Sequence, residues 1–227
     1  MEKRTVLDAR LRAAASLVRQ GAFFADIGTD HAYLPLFLVE NGRVAHALAA
    51  DINEGPVAAA RAHIAQRGLS DHIEVRRADG LVGMESLGLT DIAICGMGGE
   101  LIRDIINAAP FVKDPAIRLI LQPMSRAEVL RRYLAAEGFA VREERRTRDG
   151  DKIYTCMAAE YTGTPYALSL LEATLGLLDK SDPLLLADAE RKRTAARRRM
   201  AGKAQGCENT DAEQTLLSEL SALLEEL

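Results

Sequence analysis

Residues 23–35, FFADIGTDHAYLP, bring two carboxylates, a glycine and an imidazole into one short stretch: Asp26, Asp30, Gly28 and His31. An apolar run ending in an acid and a glycine reads as a strand turning into a helix. Many α/β proteins cradle a phosphate at such a turn, using glycine backbone and the positive end of the helix. Two adjacent carboxylates would repel that ligand and suit a cationic one. Asp30 can face the ligand or serve as a helix N-cap, and His31 can take part in chemistry, pack on the surface or cap.

Further polar residues fall where other strand-like runs end. Asp51 closes VAHALAADI about twenty residues beyond Gly28, the spacing at which an acid accepts ribose hydroxyls. Asp79-Gly80 follows HIEVRRADG, where a carboxylate can receive an amino group and glycine permits close approach. Gly96-Met97-Gly98-Gly99 ends the next run, and its glycines let backbone approach a ligand. Gln122-Pro123-Met124 ends the run after that and puts an amide at the rim of the same pocket. S-adenosyl-L-methionine carries a sulfonium and an amino group but no phosphate, and it suits this acidic set.

The elements that must position these residues are well punctuated. Helical spacing is expected in LDARLRAAASLVRQG with a stop at Gly21, in LPLFLVENG, and in GPVAAARAHIAQRG between Pro56 and Gly68. ELIRDIINAA is a fourth helix. SRAEVLRRYLAAEGF is a fifth, with Ser125 and Glu128 in capping-box spacing and Gly138 as its stop. Five strands alternate with these helices. The last two strands are joined around Asp149-Gly150 with no room for a helix, which predicts an antiparallel hairpin. The pattern predicts an α/β, Rossmann-like, seven-stranded sheet with a terminal antiparallel hairpin, an ending found in Rossmann-like methyltransferases and rare in dinucleotide dehydrogenases.

Residues 1–164 form this domain, and residues 165–227 are expected to form a helical, coiled-coil-like domain. Three helical stretches are separated near Ser181-Asp182-Pro183 and 206–210. The last carries Leu216, Leu220, Leu223 and Leu227 at alternating four and three spacing. Its apolar stripes are expected to pack as a helical hairpin.

At 227 residues, about half of them apolar, the chain can build one full α/β core and a smaller appendage. Cys95, Cys156 and Cys207 lie far apart without metal-ligand spacing, so free thiols in a reducing cytoplasm are expected, with no metal. MEKRTVLDARLR has no signal-peptide character, and no run is long and apolar enough to span a membrane. The net charge of -4 argues weakly against a dedicated nucleic-acid binder. Local basic clusters override that measure. Arg142, Arg145, Arg146 and Arg148 lie in the hairpin. Arg191, Lys192, Arg193, Arg197, Arg198, Arg199 and Lys203 lie on the middle tail helix with few compensating acids.

Taken in order, ADIGTDHAYLP, DINEGP, DGL, GMGG and LILQP resemble the pattern of the bacterial tRNA (adenine(22)-N(1))-methyltransferases. The resemblance covers about Leu7 to Tyr161, and the helical tail is similar to that family's C-terminal domain. Met124 departs from the pattern, which usually has Asn after Gln-Pro. The resemblance implies a cytoplasmic enzyme that uses S-adenosyl-L-methionine to methylate N1 of adenine 22 in tRNA, not DNA, as a monomer or weak homodimer. Asp26, Gly28, Asp51, Ile52, Asp79, Gly80, Gly96, Met97 and Gly98 would bind the cofactor. Asp30, His31 and Gln122 are the candidate catalytic residues. Tyr33, Gly99, Arg145, Arg146, Arg193, Arg197 and Arg198 would meet the tRNA. Adenine N1 attacks through its own in-plane lone pair, so alignment and tolerance of a cationic product would carry catalysis. The rival readings are a small-molecule methyltransferase whose tail dimerises, and a non-enzymatic RNA-binding module.

Overall fold

The computed structural model describes residues 4–227; the first three residues of the N-terminal stretch considered above lie outside it. After α1 (Ala9–Leu17), strands and helices alternate through β1 (Phe24–Ile27), α2 (Tyr33–Glu40), β2 (Ala47–Asp51), α3 (Glu54–Gln66) and β3 (Ile73–Arg77). The alternation continues through β4 (Asp91–Gly98), α4 (Gly99–Asn107), β5 (Arg118–Ser125) and α5 (Ala127–Ala136). β6 (Phe139–Asp149) and β7 (Lys152–Tyr161) then form the hairpin around Asp149-Gly150. The sheet order is β3-β2-β1-β4-β5-β7-β6, with β7 antiparallel to both β5 and β6 and the other pairs parallel. Strand order reverses between β1 and β4, so the carboxyl ends of those strands border the crevice where such sheets bind ligands.

Both faces of the sheet are covered, and period-2 side-chain direction divides the core in two. Phe24, Ala47, Ala49, Ala93, Ile120 and Ala158 face α1, α2 and α3. Ala25, Ile27, Leu48, Ala50, Ile92, Ile94, Leu119 and Leu121 face α4 and α5. At the opposite end of the sheet from the crevice, fully buried Asp91 accepts from the Arg19 backbone N–H and side chain at 2.8 and 2.7 Å, which ties α1's exit to β4.

Two local expectations are corrected. α1 ends at Leu17, well before Gly21, because Val18 turns extended. The capping box expected at Ser125 and Glu128 does not form: Ser125 belongs to β5, paired with Gly98, and Arg126 enters α5 at φ 56 without a side-chain cap. The capping box that does form, Ser169 with Glu172, opens the first tail helix.

The tail comprises α6 (Leu170–Leu175), α7 (Leu185–Gln205) and α8 (Asp211–Glu226). Leu216, Leu220 and Leu223 of α8 pack with Leu175, Ala189 and Ala196 of α6 and α7, whereas Leu227 is exposed beyond the helix. This small core is supplemented by buried ions. Arg131 of α5 and Glu144 of β6 pair at 2.8 Å with almost no exposure, and Arg131 also donates to the carbonyls of Ala173 and Thr174.

Candidate functional site

The site is assembled at the carboxyl ends of β1 to β5. Asp26 lies in β1, buried, and accepts a 2.7 Å hydrogen bond from the Thr29 hydroxyl. Burial is the main cause that pushes its carboxyl up to about 6. The Asp51 charge acts in the same direction, and the Thr29 bond opposes it. Gly28 follows at φ 75, with its N–H and that of Thr29 bonded to the Ala50 carbonyl. A side chain there would be strained at this left-handed φ and would have to displace the flexible end of Met97, so β4 and the first turn meet closely at this glycine.

The turn continues through His31 and Ala32, both at φ 55, into α2. Two successive non-glycine residues in the left-handed region cost about 1–2 kcal/mol each. His63 of α3 holds this conformation: its Nδ1 lies 2.8 Å from the His31 carbonyl, which identifies Nδ1 as the protonated donor. Asp30 is largely exposed, 3.4 Å from His31 Nε2, and it is not the α2 N-cap, a position taken by Ala32. Tyr33 opens α2 partly exposed, with its ring 5.6 Å from that of His31 and 5.2 Å from that of His63. The sequence gives no signal for His63, which lies in the last turn of α3, 32 positions from its partner. Replacing His63 with Ala is expected to lower kcat about tenfold with cofactor affinity retained. His63→Asn, which restores a donor at similar reach, should recover most of it. An unchanged kcat in His63→Ala would show that the tether is dispensable.

Asp51 ends β2, half-buried, and accepts from the Asn53 N–H at 2.7 Å; Ile52 beside it is half exposed. Asp79 is exposed after β3. Gly80, at φ 56, lies where a side chain would press on Ile105 of α4 at 3.1 Å. The end of β4 is irregular, with register breaks on both sides of Met97 and Gly96 at φ 79. Such bulges re-aim a strand next to a site.

Three expectations are corrected here. Gln122 is fully buried and its amide is engaged: Oε1 accepts from the Gly96 N–H at 3.1 Å and from Arg10 at 3.3 Å, while Nε2 donates to the Pro123 carbonyl at 3.1 Å. It braces the Gly96 turn and does not present an amide to a substrate. Gly99 is also buried, its α-carbon packed against the Arg126 carbonyl with no space for a side chain, so its role is close packing of α4 on β5's exit. The Arg146 side chain is 2% exposed and lies against Asp182 at 2.9 Å and Asp188 at 3.5 Å, and it donates to the Leu175 and Leu177 carbonyls. It docks the tail and has no free face for a phosphate.

Arg145 is exposed and paired with Glu143. On α7, Arg197 and Arg198 are exposed and Arg193 half-buried, and none of the three has an ion-pair partner among the described residues. Arg10 of α1 also joins the site without a sequence signal. It bonds Gln122 and the Met124 sulfur, each at 3.3 Å, and lies over the Tyr154 ring. Burial pushes the Cys95 thiol well up and that of Cys156 to about 12, so neither is a nucleophile at neutral pH.

The strand order, the antiparallel β7 and an acidic first turn in place of a phosphate loop define the class of Rossmann-like methyltransferases. Residues 7–157 match the model of a methyltransferase domain. The chain is 36% identical over 172 residues to the tRNA (adenine(22)-N(1))-methyltransferase of Bacillus subtilis, spanning 76% of this chain and 72% of that one. Sp1610 of Streptococcus pneumoniae superposes with a TM-score of 0.83 at 30% identity, over 96% of this chain and all of that one. The crystal structure of TrmK, the B. subtilis tRNA methyltransferase, does so with a TM-score of 0.79 at 31% identity over 97% of each. The chain belongs to the tRNA (adenine(22)-N(1))-methyltransferase family.

Proposed function

We propose that the chain transfers a methyl group from S-adenosyl-L-methionine to N1 of adenine 22 in tRNA. The observation that carries this reading is the acid pair at the switch point: buried Asp26, harder to ionise because of burial and the Asp51 charge, beside a glycine turn. A phosphate entering there would add a third anion, whereas a ligand carrying an ammonium and a sulfonium relieves the repulsion. The Sp1610 protein has been solved with S-adenosyl-L-methionine, which supports the same cofactor here.

When bound, the cofactor supplies an electrophilic methyl group. Asp26, oriented by Thr29, would hold its amino-acid end, Asp51 the ribose hydroxyls, and Asp79 with Gly80 the adenine edge. Gly28 gives close approach, Ile52 offers an apolar surface beside Asp51, and the Gly96–Met97–Gly98 turn would wall the methyl side. The acceptor nitrogen brings its own lone pair, so no residue has to remove a proton for the bond to form. Asp30 would favour the cationic product electrostatically. N1 lies on the pairing edge, so the base must be unpaired or extruded, and the Tyr33 and His31 rings would receive it.

Arg145, Arg193, Arg197 and Arg198 would meet tRNA phosphates. The small-molecule alternative assigns the tail to dimerisation, but the leucines of α8 are already covered by α6 and α7 within one chain. This favours the tRNA reading, with the chain acting as a monomer or weak homodimer in the cytoplasm. Among the described residues no helix is long and apolar enough to cross a membrane. Labelled cofactor is expected to methylate an unmodified tRNA transcript with adenine at position 22 and to leave one with guanine there unlabelled. Equal labelling of both would contradict the assignment.

A further inference from the structure

We propose that the groove between the end of β5, the β6–β7 hairpin and α7 is a phosphodiester track that leads the tRNA backbone from the tail to the strand ends. The proposal rests on the tRNA reading above and adds the path that reading leaves open. The groove encloses about 310 Å³, and Met124, Ser125, Arg126, Lys152, Arg191 and Lys192 line its walls. Two acids, Glu128 and Asp188, also face it, and both are occupied. Glu128 lies 3.3 Å from Arg126, and Asp188, buried, lies against Arg146 at 3.5 Å and Arg191 at 3.1 Å. Arg131, the remaining cation on the wall, is held by Glu144.

Lys152 and Lys192 are different. Neither side chain has an ion pair or hydrogen bond among the described residues. Lys152 is exposed at the hairpin, whereas Lys192 is half-buried on α7. Burial lowers the pKa of the Lys192 ammonium, with nearby Asp188 opposing. An ammonium held partly out of water without a partner destabilises the free protein. A phosphate oxygen entering the groove supplies the missing partner.

The two ends of the groove fix its direction. At one end Ser125 pairs with Gly98 in the β4–β5 register, and the Met124 sulfur accepts from Arg10, which also bonds Gln122. The groove therefore opens onto the strand ends that carry the Gly96–Gly98 turn. At the other end Arg198 and Arg199 stand exposed about two helical turns further along the face of α7 that bears Arg191 and Lys192. A chain of phosphates laid on α7 is thus led directly to the acceptor side of the site.

The test uses the full chain with an unmodified tRNA transcript, measuring affinity by fluorescence anisotropy over a range of salt. Lys152→Glu and Lys192→Met are each expected to weaken tRNA binding about three- to tenfold. Each should also make the slope of log K against log salt shallower by about one. Calorimetric affinity for S-adenosyl-L-methionine should stay at the wild-type value, which shows that the variants fold. Lys192→Met should melt at the same or a higher temperature than wild type, because it removes a half-buried ammonium, so its loss of tRNA binding is not a loss of structure. Wild-type tRNA affinity and salt slope in both variants would overturn the groove. If wild type methylates tRNA while the variants bind normally, only the groove is wrong. If wild type neither binds nor methylates tRNA, the functional reading falls with it.

Discussion

In Asp26→Asn, affinity for S-adenosyl-L-methionine is expected to fall about 100-fold, while the free protein becomes more stable above pH 6. The first effect follows from losing a charge-assisted contact of about 2–3 kcal/mol. The second follows from the environment of Asp26, whose carboxyl is raised from 3.8 to about 6, first by burial and then by Asp51. Below the ordinary carboxylate range the folded and unfolded chains both hold the proton. Between there and about pH 6 the unfolded chain releases it and the folded chain keeps it, so stability falls as pH rises. Above about pH 6 the penalty is constant. The rise from 3.8 to about 6 corresponds to at most about 3 kcal/mol. Asn carries no such penalty, so the gain in urea unfolding should be present at pH 8 and absent near pH 4. Cofactor affinity of the wild type should rise between pH 5 and 7, and that of Asp26→Asn should stay flat. A variant that binds cofactor normally would remove Asp26 from the site, and one that is less stable at pH 8 would contradict its raised carboxyl.

Arg146→Met is expected to lower stability by about 3 kcal/mol and to loosen the tail before the sheet unfolds. Removing one partner of a buried ionic cluster leaves the other charges without compensation, and that typically costs about 3–5 kcal/mol. Asp188 keeps its contact with Arg191, which places the effect at the lower end. Limited proteolysis should cut earlier in residues 165–184, and calorimetry should show a separate low-temperature transition. Cofactor affinity should be unchanged, because Arg146 contacts the tail and not the strand ends. A variant that melts like wild type yet binds tRNA poorly would restore the phosphate-contact role this structure removes.

These two residues show where sequence patterns succeed and where they stop. Asp26, Gly28 and Asp51 are legible because strand–turn–helix punctuation puts them at strand ends, and the parallel sheet gathers strand ends at one edge. The β6–β7 hairpin is legible because Asp149-Gly150 marks a turn between two β-rich runs. Arg146 is not, since its partners lie 36 and 42 positions away, Asp182 in the loop before α7 and Asp188 on α7 itself. In a string of arginines it looks like its neighbour Arg145, yet period-2 direction turns one outward and the other inward. Gln122 is misread for a related reason: a polar residue at a strand end suggests a ligand, but here the bulged end of β4 takes its amide first. The Ser125 capping signal loses to the sheet, because the ladder to Gly98 carries the chain past the point where the helix would have been capped.

Methyl transfer to adenine 22 is decided by incubating the protein with unmodified tRNA and S-adenosyl-L-methionine, then mapping methylated nucleosides by mass spectrometry. One new 1-methyladenosine is expected, at position 22, absent without cofactor and absent with Asp26→Asn. A methyl group on another base or position, or an unmodified tRNA after incubation with cofactor-binding protein, would contradict it.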